Sequence, residues 1–393
     1  MSIFTRLAGA FARPPERKRS AVGPLLAIHN GGRPQWMARN VEAFAREGFG
    51  GNAVGYRCVR MIAEAAASVP WVLYDGVAEL EAHPLLDVLA KPNPASSGRA
   101  LMETLYGQLL VAGNAYAEAA AVAGELREIH ALRPDRMKLV PGKDGWPEAY
   151  EYSAGGATLR FDQTQGPFRH VLHLKLLDPL EDHYGLSPFA AAASAVDIHN
   201  QAGAWNKALL DNSARPSGAL LYKADGDANL TEEQFQRLKL ELESAWTGAA
   251  GAGRPMLLEG GLDWKEMALS PKDMDYIEAR SMAAREIALA FGVPPMLLGI
   301  PGDNTYANYT EANRSFWRQT VLPLAERTAE SFTHWLAPAW RGKLRLSVDA
   351  DAVQALAGER ETLWAKLEAA SFLTIDEKRA AVGYGPLASE RRQ

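Results

Sequence analysis

One cysteine in 393 residues leaves nothing to pair, so Cys58 excludes an intrachain disulfide framework, a cysteine-rich zinc site and a two-thiol redox motif, and it suits a reducing compartment. Long apolar runs are missing as well. Uncharged stretches such as 287–302 are broken by Gly and Pro and fall short of the roughly 20 apolar residues that a membrane-crossing helix needs. No membrane span is expected, and the N-terminus lacks the apolar core of a signal peptide. Positive charge is not in excess either: 42 Lys+Arg stand against 47 Asp+Glu, a net charge of −5, which argues against a strongly basic nucleic-acid clamp. Gly142-Lys143 and Gly342-Lys343 are followed by Asp and Leu, so the phosphate-cradling loop of an ATPase is absent. Neither a Gly-x-Ser-x-Gly elbow nor a His-Glu-x-x-His helix occurs, and there are no internal repeats.

What is present is a soluble, globular composition, 47% apolar and 23% charged, long enough for two or three domains. The first 50 residues are interrupted by Gly and Pro and open with Arg6, Arg13, Arg17, Lys18 and Arg19 against a single acid, Glu16, which predicts a flexible basic N-terminal arm. Val54, Cys58, Met61, Ile62 and Ala65 then fall on one face of a helix, with Cys58 in the core. Residues 69–74 are extended, 101–111 helical, and 125–176 strand-like with turn signals between the strands, which predicts a small antiparallel β-domain. Ser187 and Pro188 start an Ala-rich helix running to about Asn212. Thr231 and Gln234 open an amphipathic helix, and a second of similar length ends at Gly292. Between the two, short apolar runs around Gly260-Gly261 predict a hairpin at the tip of a projecting finger. A loop at 294–308 leads to a long helix at 309–336, kinked at Pro323, and the polar tail carries a capping box at Thr374 and Glu377.

Candidate chemistry is sparse. His170 and His173 suggest a metal pair until the strand reading is applied, because an odd offset puts the two rings on opposite faces of a sheet. Asp225, Asp227 and Asn229 begin like a calcium loop, but Leu230 and Gln236 stand where Gly and a bidentate Glu belong. The one cluster with catalytic potential is Asp178, Glu181 and Asp182 beside His183, the basis of an alternative reading as a metal-dependent nuclease or hydrolase; a polar turn explains the same residues.

The order of motifs resembles the portal proteins of tailed bacteriophages, in the HK-ninety-seven-like branch that also serves prophages and gene transfer agents. The residues that carry the resemblance are Tyr56-Arg-Cys-Val-Arg-Met-Ile-Ala63 with Pro70, His83-Pro-Leu-Leu86 with Lys91-Pro-Asn93, Gly113-Asn-Ala-Tyr116, and Tyr184-Gly-Leu-Ser-Pro188. Further on come 280–291 leading into Gly292-Val-Pro-Pro-Met-Leu-Leu-Gly299, and Thr305-Tyr-Ala-Asn308.

This resemblance implies an α+β portal-type fold with a mixed α/β wing, a two-helix stem, a β-hairpin clip, a long kinked helix and a short helical crown. By position the arm is 1–50, the wing 51–229 continued by 309–349, the stem 230–247 and 273–292, the clip 248–272, the tunnel loop 293–308, and the crown and C-terminal tail 350–393. It implies a non-enzymatic, cofactor-free ring of twelve copies at one capsid vertex, through which double-stranded DNA is packaged and ejected. The implied partners are the chain itself, DNA, the large terminase, the major capsid protein and a head-tail adaptor, with no membrane; the implied location is the virion, with assembly in the bacterial cytoplasm. Asn304, Thr305, Tyr306 and Asn308 would line the channel with neutral hydrogen-bonding groups. Leu258, Glu259, Gly260, Gly261, Trp264 and Lys265 would form the clip that docks terminase or adaptor, and Arg237, Lys239, Glu241 and Arg280 would belong to the stem.

Overall fold

The computed structural model describes residues 36–163, 168–211, 218–222, 231, 233, 236–237, 240, 262–266, 276–301 and 305–382. The chain divides into two units, Met1–Trp36 and Met37–Gln393, and every element below belongs to the second. Of the predicted 1–50 arm, residues 1–35 lie outside the described residues; the stretch from Met37 to Gly50 corrects the expectation, because it is helical from Val41 and packs into the core through the buried Met37 and Phe44.

Caps decide where the helices begin. Asn40 caps α1 (Val41–Ala43), which runs on as a π-helical stretch, Phe44–Gly50. The Asn52 side chain accepts from the amides of Val54 and Gly55, both at 3.0 Å, and opens α2 (Ala53–Ser68). His83 and Pro84 open α3 (Pro84–Ala90), and Ser97 opens α4 (Gly98–Ala112), which Gly113 ends at φ +74°. The apolar faces of α2 and α4 pack together; Cys58, Ile62, Leu105 and Tyr106 are fully buried there. Burial pushes the Cys58 thiol up to about 12, as expected of a core cysteine.

The predicted β-region is two three-stranded antiparallel sheets. One has the order β4-β3-β8, from β3 (Asn114–Val122), β4 (Glu125–Leu132) and β8 (Val171–Lys175). The other is a meander of β5 (Met137–Pro141), β6 (Pro147–Ala154) and β7 (Ala157–Asp162). Tyr116, Leu132, Met137, Leu139, Tyr150 and Val171 form a small core between them. A third sheet joins distant parts of the chain: β1 (Trp71–Asp75) pairs with β2 (Ala78–Leu80) on one edge and with β11 (Leu344–Val348) on the other, Leu73 opposite Leu346.

The Ala-rich helix is broken at Ala192 into α5 (Pro188–Ala191) and α6 (Ala193–Asp211). Two strands follow, β9 (Gly218–Tyr222) and β10 (Leu262–Glu266), paired antiparallel with Trp264 opposite Leu220. Then come α7 (Tyr276–Ala290), packed on α6, and α8 (Tyr306–Phe316). The long helix continues through a π turn at Trp317–Val321 into α9 (Leu322–Leu336). The irregularity therefore precedes Pro323 rather than centring on it. A proline ring conflicts with the carbonyl four residues earlier, here Gln319, and the wider π turn relieves that conflict. On α9, Phe332 packs edge-on beneath Trp71 at 5.1 Å between ring centres, which seats the long helix on β1. The tail forms α10 (Ala357–Ala369) and α11 (Ile375–Ala381), the latter opened by the predicted capping box.

Candidate functional site

Several of the sequence motifs meet in space, and where they meet is a structural junction. The chain leaves α4 at Gly113 and crosses itself at Gly185. The two backbones are so close that a Cβ on either glycine would stand 2.3 Å from the other's carbonyl oxygen. Asn114 bolts the crossing. Its Nδ2 donates to the carbonyls of Ala112 (3.0 Å) and Gly185 (3.1 Å), and its Oδ1 accepts from the Gly185 amide (2.7 Å) and from His173 Nε2 (2.9 Å). The fixed orientation of that amide places the imidazole proton on Nε2, so Nδ1 accepts from the Tyr150 hydroxyl at 3.2 Å. Tyr116 stacks on the same ring at 4.3 Å. Desolvation first, then Lys175 and His183, pull the His173 pKa down from 6.5 to about 3. Burial also raises Tyr116, and it lifts Tyr150 to about 12. A histidine held neutral with both nitrogens engaged has no lone pair to offer a metal. Ser187 completes the crossing by capping α5 and donating to the Val111 carbonyl at 2.8 Å.

A second junction lies under α2. Because Asn52 Oδ1 is taken by the helix amides, its Nδ2 must donate, to His199 Nδ1 at 3.1 Å and Asn200 Oδ1 at 2.9 Å. Asn200 in turn donates to the Glu47 carbonyl. His199 is therefore also neutral, and its pKa is lowered by desolvation and by Arg280. Asn93, from the Lys91-Pro-Asn motif, donates to the Ile129 carbonyl at 2.9 Å and fastens α3 to β4.

The carboxylate cluster resolves as a turn. Asp178 accepts from the Leu180 amide and Glu181 from the His183 amide, both at 3.0 Å, while the Lys175 ammonium binds the Asp182 carbonyl. Among the described residues no three His, Cys, Asp or Glu side chains are grouped to hold a metal ion, and the nuclease alternative has no geometry behind it.

Most of the predicted tunnel loop lies among the described residues. α7 ends in a Schellman arrangement: the Gly292 amide donates to the Leu289 carbonyl (3.0 Å) and the Val293 amide to that of Ala288 (2.9 Å), with Gly292 at φ +68°. Thr320, in the π turn, donates to the Gly292 carbonyl at 2.6 Å. The loop then makes a 3-10 turn, Pro295–Leu298, and buries Ile300. Thr305 does not lie in a loop: its hydroxyl accepts from the Asn308 amide at 3.2 Å and caps α8, so Tyr306 and Asn308 belong to the first helical turn. The long helix thus begins three residues before the sequence reading put it, because a Thr cap carries no hydrophobic periodicity to announce it. Tyr306 is 88% exposed. Asn304 lies outside the described residues.

Of the clip residues, Trp264 and Lys265 sit in β10, while Leu258, Glu259, Gly260 and Gly261 lie outside the described residues. The described partner of β10 is β9, a segment to which the sequence reading assigned no element; the other half of the expected hairpin is not among the described residues. Arg237 is helical and exposed, Arg280 is exposed on α7, and Lys239 and Glu241 are outside the described residues. Sequence reasoning gave Asn114 no role beyond its place in a motif, and it passed over Asn52, His199 and Thr320. A signal existed for two of them, since an Asn directly after a helix-ending Gly, or directly before a helix, is a ready source of backbone hydrogen bonds.

Against known proteins, the sequence model of the phage portal protein family matches residues 53–383. A chain in the neck of an empty gene transfer agent particle, computed with C6 symmetry, is 52% identical, with a TM-score of 0.71 over 93% of this chain and 99% of that one. The corresponding chain in the neck of a native particle, computed with C12 symmetry, is 52% identical with a TM-score of 0.69 over 90% and 96% of the two chains. The portal protein of Enterobacteria phage HK97 is 26% identical over 348 residues, 84% of this chain and 78% of that protein. With a family match running from α2 to the end of α11 and 52% identity to neck chains covered over 96% or more of their own length, this chain belongs to the phage portal protein family.

Proposed function

We propose that the chain is the portal subunit of a phage or gene transfer agent particle. It closes into a ring of twelve at one vertex of the capsid, and double-stranded DNA enters and leaves through the ring's centre. The observation that carries this reading is the relative at 52% identity whose native particle neck was computed with C12 symmetry. A net charge of −5 per chain supports it, because a ring of such chains repels phosphate on average and lets a polyanion slide. The 293–308 loop then faces the channel, with Tyr306 and Asn308 on a capped helical turn offering neutral contacts to the DNA backbone. The clip around Trp264 and Lys265 docks the large terminase during packaging and the head-tail adaptor afterwards; the wing meets the major capsid protein.

The test separates conduit from mere scaffold. Removing Asp303 and Asn304 while keeping the Thr305 cap is expected to leave ring mass unchanged by light scattering and to lower the DNA retained per particle. Unaltered packaging with that deletion would remove the loop from the mechanism.

A further inference from the structure

The tail hairpin has no core of its own. Neither α10 nor α11 holds a buried residue, and residues 361–366 of α10 are all exposed, so for more than a turn that helix faces solvent on every side. Yet Leu363 and Trp364 lie in that stretch, Ile375 is 65% exposed, and Phe372, at the bend between the helices, is 84% exposed. Helices of 13 and 7 residues are marginal in water unless an apolar face is buried. The hairpin is nevertheless pinned at its base, where Glu359 pairs with Arg318 of the long helix at 3.5 Å and Arg360 binds the Asp351 carbonyl; within α10 Arg360 also lies over the Trp364 ring at 5.4 Å. Between the helices runs a groove of about 310 Å³ lined by Trp364, Leu367, Ile375 and Val382, with Glu368, Lys378 and Arg379 at its edges.

We propose that this groove receives Phe372 of a second copy of this chain, so that the tails link head to tail around the ring and are completed only by ring closure. The proposal rests on the ring reading above and deepens it. Three features favour a second copy as the occupant. The groove is sized for one large side chain rather than for the face of a domain. Knob and groove are different parts of one hairpin, so each copy gives to one neighbour and receives from the other, the heterologous arrangement that closes a ring. Charge follows the same polarity: the first turn of α11, next to Phe372, carries Asp376 and Glu377, and its last turn, at the groove, carries Lys378 and Arg379.

The sole native thiol, Cys58, is buried, which allows a covalent test in the full chain. Mild oxidation of the Phe372→Cys, Leu367→Cys double variant is expected to give a ladder of covalent oligomers reaching the mass of the ring, while either single variant gives none. Phe372→Glu is expected to weaken ring association about tenfold or more, the effect of exposing one buried aromatic at each contact. Hydrogen exchange in α10 and α11 should slow on assembly in the unaltered chain and stay fast in the Phe372→Glu variant. Rings of normal mass with no ladder and unprotected tails overturn the proposal and leave the portal reading standing. Covalent dimers from Phe372→Cys alone mean a two-fold contact and overturn it equally. An unaltered chain that forms no ring at any concentration overturns both readings.

Discussion

The junction at Gly113, Asn114 and Gly185 and the hairpin of α10 and α11 are opposite ways of using the same chemistry. Both rest on capping side chains: Asn114 and Ser187 in one, Thr374 with Glu377 in the other. At the junction every capping atom is buried and returned a partner by the same chain, so the region is complete in a single molecule. In the tail α11 is equally well capped, yet neither it nor α10, which has no side-chain cap, holds a buried residue, so local geometry alone does not make the hairpin a folded unit. The lesson is that a well-formed helix end says where a helix starts and nothing about whether it is held.

The comparison breaks most decisively at Gly113. Alanine there meets the Gly185 carbonyl at 2.3 Å and a φ of +74°, and is expected to cost at least about 3 kcal/mol, read as loss of soluble protein or a large fall in melting temperature. Asn114→Ala comes next, at about 2 to 4 kcal/mol, because the Gly185 amide, two carbonyls and His173 lose their partner in a buried place. Acid should act in the same direction. The native state keeps His173 neutral down to about pH 3, whereas the unfolded chain takes up that proton near 6.5. Between those values the unfolded state binds more protons, so stability falls as pH falls, by up to about 1.4 kcal/mol per pH unit for each such histidine. His199, also lowered, adds to the slope, and thermal unfolding followed between pH 7 and 5 measures the sum. The smallest effect belongs to the tail: Thr374→Ala is expected to cost about 1 kcal/mol within α11 alone, seen as faster amide exchange there with the main melting transition unmoved. A main transition that shifts with Thr374 would erase the contrast between the two regions.

How far the sequence was legible follows the same line between local and distant causes. The face of α2, the end of α7 at Gly292, the Ser187 cap and the tail capping box are local patterns, and each was readable. β3 was missed because Asn114–Val122 is mostly alanine, which carries no strand propensity and is held in place by β4 and β8 on either side. The pairing of β1 with β11 spans most of the chain and leaves no local trace. The motifs Gly113-Asn-Ala-Tyr and Tyr-Gly-Leu-Ser-Pro188 were legible as words but not as one object, since their meeting depends on a backbone crossing 71 residues apart. For His170 and His173 the sequence offered only the odd offset that separates two rings along a strand; that both ring nitrogens of His173 are already bonded, to Asn114 and Tyr150, needed the fold.

The bond from Thr320 to Gly292 has a mechanical consequence. Thr320 holds the start of the 293–308 segment, and Thr305 caps the helix into which that segment runs, so both feet of the segment stand on one rod, 15 residues apart. At 1.5 Å per residue the rod between them is about 22 Å long. A strap fastened at two points of a stiff bar rides with the bar when the bar translates, and the distance between its two fastenings changes only when the bar bends. The π turn is the place where this bar departs from regular helix, and it is also where the upper foot is fastened.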